Sequence, residues 1–174
     1  MLDYEAILKE AISENPNDLK WNNSPYGGIK LVSNTAVGKV GQSFIKKLCD
    51  HLSFKNQYPK TPKGNDAYTS PWDLEIEGLT FEIKTASEDV NGGFQFNHVR
   101  LHREYQAVIC LGICPSKIVF NVWSKADLAT GKAGTLVSME KGGASDFKLS
   151  KRSKDLLPIE SFAMIIKNFI ADYQ

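Results

Sequence analysis

The chain has little of what marks a specialised protein class. Its 174 residues include only three cysteines and three histidines, and no apolar run approaches the roughly 18 residues of a membrane span. Cys49, Cys110 and Cys114 are odd in number, with no fourth cysteine in the chain. They cannot complete a tetrahedral zinc set, so they are expected as buried, reduced thiols. Net charge is also scarce: 21 Lys and Arg against 20 Asp and Glu leave +1. That excludes a polycation that coats nucleic acid by bulk charge, and any positive surface has to be local. There is no internal repeat, low-complexity tract or heptad run, which excludes a disordered tail and a coiled-coil rod. Neither G-x-x-x-x-G-K-[ST] nor G-x-S-x-G occurs, and the Gly-Lys pairs at 38–39 and 131–132 lack the spacing of a phosphate cradle. The start, MLDYEAILKE, has no basic stretch followed by an apolar one, so a soluble, cytoplasmic protein is expected.

What is present suits one compact domain over residues 1–174, large enough to bury roughly 70% of its unfolded surface without disulfide or metal. Helical spacing of Tyr4, Leu8, Ala11 and Ile12, with Ile7 beside them, predicts a helix over 2–15, stopped by Asn15-Pro16-Asn17. A second helix is predicted from the capping residues Ser33-Asn34-Thr35 to about Leu52. Its inner stripe is Val37, Val40, Phe44 and Leu48, with Gly41, Ile45 and Leu52 beside it. The Lys-, Pro- and Asn-rich stretch 56–71 reads as a loop. Two alternating segments, 72–76 and 79–85, flank Glu77-Gly78, a hairpin signal. The segment FQFNHVR is open between strand and helix. Residues 105–113 and 118–123 read as buried strands, and Ser124 caps a short helix closed by Gly131. A ragged hairpin over 135–147 and a terminal helix over 158–173 follow, the latter with Ile159, Phe162, Ile165, Ile166, Phe169 and Ile170 inward. This order predicts a mixed α/β class with a sheet of four to five strands.

The chemistry sits in the hairpin. A two-residue loop at Glu77-Gly78 places Ile76 opposite Leu79, Leu74 opposite Phe81, and Asp73 opposite Glu82. Alternation then puts Leu74, Ile76, Leu79, Phe81 and Ile83 on one face, and Asp73, Glu75, Thr80, Glu82 and Lys84 on the other. Like charges directly across a strand pair destabilise it, so Asp73 against Glu82 calls for compensation. A divalent cation provides it, because two carboxylates, a main-chain carbonyl and waters make an oxygen shell suited to Mg²⁺, with Mn²⁺ as a substitute. Such an ion acidifies a bound water and stabilises charge on a phosphoryl oxygen, and Lys84 reaches the same patch as a point charge. These are the parts of phosphodiester hydrolysis. Glu75 shares the face as an alternative carboxylate, and Asp66 is a further candidate on the loop. A solvated hairpin face with a Glu82–Lys84 surface ion pair is the bland alternative.

Gly38-Lys39-Val40-Gly41, Pro71-Trp72-Asp73 and Glu82-Ile83-Lys84 together resemble the PD-(D/E)XK nuclease superfamily, which includes type II restriction endonucleases, over about residues 35–123. The resemblance implies a central mixed sheet flanked by helices, metal at Asp73 and Glu82, and catalytic assistance from Lys84. Relatives often carry a Glu just after the G-x-x-G. Gln42 stands there in this chain, an accessory residue able to orient a bound water but without charge, and Trp72 separates the proline from Asp73.

For duplex DNA, the contacts expected are Gln95, Asn97, His98, Arg100 and Arg103 in the segment after the catalytic strand, with Lys60 and Lys63 in the 56–69 loop. Arg and Asn or Gln are the side chains that read guanine and adenine edges bidentately. His98 and His102, four apart, have no acid spaced to complete a zinc site. The reading is a Mg²⁺-dependent restriction-type endonuclease of double-stranded DNA, acting as a homodimer or with a partner subunit. Alternatives are a structure-selective repair or recombination nuclease, or an inactive DNA-binding module of the same fold. Glu82→Ala and Lys84→Ala are expected to abolish cleavage and leave folding intact.

Overall fold

The computed structural model describes residues 3–14, 19–68, 70–139 and 145–173, and of residues 12–14 the backbone alone. The predicted stop at 15–17, the Ile12 side chain and Thr69 fall outside the described residues. Four α-helices are seen among them: α1 (Tyr4–Glu14), α2 (Asn34–His51), α3 (Lys125–Ala129) and α4 (Phe162–Tyr173). The strands are β1 (Asn56–Gln57), β2 (Leu74–Ile76), β3 (Leu79–Ser87), β4 (Gly93–Val99), β5 (Ala107–Ile113), β6 (Ile118–Ser124), β7 (Leu136–Ser138), β8 (Phe147–Arg152) and β9 (Leu157–Pro158). No helix is long and apolar enough to cross a membrane among these residues.

The fold is mixed α/β, with a central mixed sheet flanked by helices. Its order is β1-β2-β3-β5-β6-β9, parallel at β3–β5 and antiparallel elsewhere. The hairpin has the expected register, Leu74 facing Phe81 and Ile76 facing Leu79. Its turn residues Glu77 and Gly78 both have positive φ, 49° and 85°, the twist a two-residue hairpin needs. Alternation along β5 feeds two cores. Ala107, Ile109, Leu111 and Ile113 join α2 and α4 on one face; Val108 and Cys110 join β4, β8 and α3 on the other. The hairpin residues Leu74, Ile76, Leu79, Phe81 and Ile83 all lie in the first core. Ser124 caps α3 in a capping box with Asp127, and Gly131 follows at φ 78°. The three cysteines are buried and free; burial pushes the Cys49 and Cys110 thiols up to about 12, which keeps them protonated and unreactive.

The structure revises the strand count, the 135–147 hairpin and the inner face of α2, and it settles the open segment. The central sheet has six strands rather than four or five, because two-residue strands β1 and β9 extend its edges. FQFNHV falls in strand β4 with Arg100 just beyond it, and the ragged hairpin, whose residues 140–144 lie outside the described residues, becomes β7 and β8, which with β4 form a separate three-stranded sheet in the order β4-β8-β7. On α2 the buried line is Gly41, Gln42, Ile45 and Cys49 rather than one centred on Val40, which is exposed. The rotation follows from the close seat of Gly41 on β3. The expected first helix forms as α1, with Tyr4, Ile7 and Leu8 77%, 50% and 60% exposed, because periodicity selects which residues share a side but not what lies against it.

Candidate active site

β3 runs for nine residues and β2 for only three, so the edge of β3 beyond Phe81 has no strand beside it. Asp73, the residue before β2, occupies that gap. Its main-chain N–H donates to the Phe81 carbonyl at 2.9 Å, and its Oδ2 accepts the Ile83 N–H at 2.8 Å. The carboxylate thus takes over a hydrogen bond that a longer β2 would supply, which fixes its direction.

Glu82 has no solvent-exposed surface, and a buried carboxylate is retained only where cations and hydrogen bonds replace water. Two cations serve it here. Lys84 Nζ lies 2.7 Å from Oε1, and one Arg103 Nη donates to both carboxylate oxygens at 2.8 and 2.7 Å. Lys125 in turn donates to the Arg103 carbonyl, anchoring the segment that carries the guanidinium. The need for a positive charge at Glu82 is legible in the sequence from its place opposite Asp73 in the hairpin. That Arg103 would meet it is not, since it lies 21 positions further along the chain.

Burial and the facing charge of Glu82 push the Asp73 carboxyl up to about 6, against the Ile83 hydrogen bond and the charges of Lys84 and Arg103. The folded protein therefore holds this proton more tightly than the unfolded chain, whose ordinary value is 3.8. The resulting stability is fully present below about pH 4 and is lost as pH rises through about 6, on the order of 2–3 kcal/mol. In chelator, Asp73→Asn is accordingly expected to melt above the parent at pH 8, the gap closing by pH 4. Parallel melting profiles for the two proteins would contradict the stated environment of Asp73.

Asp73 and Lys84 face a cleft of about 610 Å³ with the buried Glu82 in its wall, lined further by Gly38, Lys39 and Gln42 of α2 and by Arg100, His102 and Arg103. Gln42 donates its amide nitrogen to the carbonyls of Tyr68 and of Asp73, the latter at 2.9 Å, so it positions the main chain of the acid. The remaining sequence candidates separate. Glu75 lies outside this cleft, accepting from Gln57 on β1 at 3.0 Å, because it sits two residues nearer the turn and beside the sheet edge. Asp66 is paired with Lys60 in the loop, and Lys63 is exposed there. His98 Nδ1 is 2.8 Å from Asp146, and Arg100 reaches the same carboxylate at 3.7 Å while still lining the cleft. Gln95 and Asn97 are exposed on β4. Asp146, which ties β4 to the start of β8, carried no signal in the sequence.

Among the described residues no cluster of three or more His, Cys, Asp or Glu could ligate a metal. The donor set at the cleft is two hard carboxylates, Asp73, raised first by burial and then by Glu82, and Glu82 itself, which Lys84 and Arg103 engage. That set fits Mg²⁺, an ion that keeps several waters and is held by one or two carboxylates, and does not fit structural zinc.

No family model matches the sequence, and no curated protein matches it. Among solved structures the chain is similar to a bacterial homing endonuclease, I-Ssp6803I, at 13% identity and a TM-score of 0.46, over 82% of this chain and 99% of that one.

Proposed function

We propose that this chain is a Mg²⁺-dependent endonuclease hydrolysing phosphodiester bonds of double-stranded DNA, with Asp73 and Glu82 as metal holders and Lys84 as the catalytic cation. One observation carries the reading: two carboxylates, set on a hairpin and its flank, meet a lysine in an open cleft whose other charged walls, Lys39, Arg100 and Arg103, are cationic. A bound Mg²⁺ would supply an acidified water and charge stabilisation at the phosphoryl group. Lys84, held at the cleft wall by Glu82, orients the attacking water or a non-bridging phosphate oxygen. Lys39 and Arg100 neutralise the backbone phosphates on either side.

Within this class the reading is restriction-type cutting at a defined sequence. One such site severs one strand, so double-strand cleavage requires a two-fold homodimer or a partner subunit. Incubation with supercoiled plasmid and with branched junctions, in Mg²⁺, Mn²⁺ or chelator, tests it. Discrete linear bands that vanish in chelator are expected. Cutting of junctions alone would replace the restriction role by repair, and DNA binding with no cutting in either metal would leave only a binding module.

A further inference from the structure

β3 does not end at the cleft. Beyond Lys84 its next residues, Thr85 to Ser87, floor a second cleft of about 380 Å³. The wall on one side is again α2, here Asn34 and Val37, which stand next to Thr35 and Gly38 of the first cleft's wall. The opposite wall is β4, through Gln95 and Asn97. The two clefts therefore share a floor strand and a wall helix and form one trough along the open edge of β3.

The wall that β4 provides has the composition of a base reader. Alternation sends Phe94 and Phe96 into the core and leaves Gln95 and Asn97 outward. Neither side-chain amide has a hydrogen-bond partner among the described residues, so both donor and acceptor ends are available. Strand pairing extends the same face: Ser150 lies opposite Gln95, and Arg152 opposite Gly93. On this face of the ribbon stand two neutral amides and a hydroxyl with Arg152 at the margin, while Lys30 and Asp89 also line the cleft. This matches the division in DNA interfaces between base-edge contacts and phosphate contacts, and an antiparallel ribbon is a shape the major groove admits.

Resting on the nuclease reading above, we infer that the trough is a single track for duplex DNA and that Gln95 and Asn97 determine its sequence specificity. From Lys84 to Ser87 is about 10 Å at the usual strand rise of about 3.3 Å per residue. Duplex DNA advances about 3.4 Å per base pair. The bases read by β4 thus lie about three pairs from the scissile phosphate, and the amide side chains select adenine there through N6 and N7.

The test uses a randomised duplex library, digested in Mg²⁺ and sequenced at the cut ends, for the parent, Gln95→Ala and Asn97→Ala. The parent is expected to favour adenine about three pairs from the cut. Each variant is expected to lose about 5- to 150-fold of that discrimination at its own position, leaving the other positions and the melting temperature unchanged. A parental profile shared by both variants overturns the inference and leaves the nuclease reading intact. A parent that cuts no member of the library, in Mg²⁺ or Mn²⁺, overturns both.

Discussion

Glu82→Gln is expected to lower Mg²⁺-dependent cleavage of duplex DNA by about 10³-fold or more, the scale of losing a charged group that stabilises a transition state in a dry site. Glutamine is the informative replacement. Glu82 is fully buried between Lys84 and Arg103, so Glu82→Ala leaves two cations without their anion and is expected to destabilise the fold by about 3–5 kcal/mol. This corrects the expectation that alanine at 82 spares folding, which assumed a solvated carboxylate. Lys84→Ala differs because the lysine side chain keeps 15% of its surface in solvent and Arg103 still neutralises Glu82. It is expected to lose about 10²- to 10³-fold in rate with a smaller change in melting temperature. Cleavage assays paired with thermal melts separate the two effects. Parental cleavage rates in either Glu82→Gln or Lys84→Ala would remove the assignment of these residues as catalytic.

Gly41→Ala is expected to destabilise the protein by about 2–3 kcal/mol and to reduce cleavage with it, through overpacking rather than lost chemistry. A Cβ at position 41 would lie 1.7 Å from Thr85 Oγ1 and 2.8 Å from Thr85 Cβ. Rotating the threonine side chain relieves the first contact and not the second, so α2 must lift from β3. Alanine's helix propensity returns up to about 1 kcal/mol against this, which the overlap exceeds. Lifting α2 also displaces Gln42, whose amide holds the Asp73 carbonyl. Gly38 provides the control, since a Cβ there meets nothing within 4 Å and Gly38→Ala is expected to melt at or above the parent. Urea denaturation of both variants checks the pair. Equal stability for Gly41→Ala and the parent would show that the helix and strand are not seated as closely as described.

The two glycines of the same G-x-x-G thus have different standing: one is required by contact with a strand more than 40 residues away, the other is not. Sequence spacing could not distinguish them. The same holds for the acids. Asp73, Glu75 and Glu82 share a face by alternation, yet β2 begins only at Leu74, so Asp73 turns into the gap beside β3 and Glu75 is left against β1. The basic segment after β3 likewise divided once folded: Arg103 went to Glu82, His98 to Asp146, and Gln95 and Asn97 stayed outward.

By itself the sequence determined what short-range chemistry controls: the Glu77-Gly78 turn and its register, the sorting of hairpin side chains into apolar and charged faces, the Ser33 and Ser124 helix starts, and the buried character of β5. Each depends on residues within a few positions of one another. Tertiary structure decided what depends on partners distant in the chain: the β4-β8-β7 sheet, the guanidinium that neutralises a buried carboxylate, the rotation of α2 and the trough beside β3. Those contacts depend on which surfaces meet and how closely, and local periodicity carries no information about either.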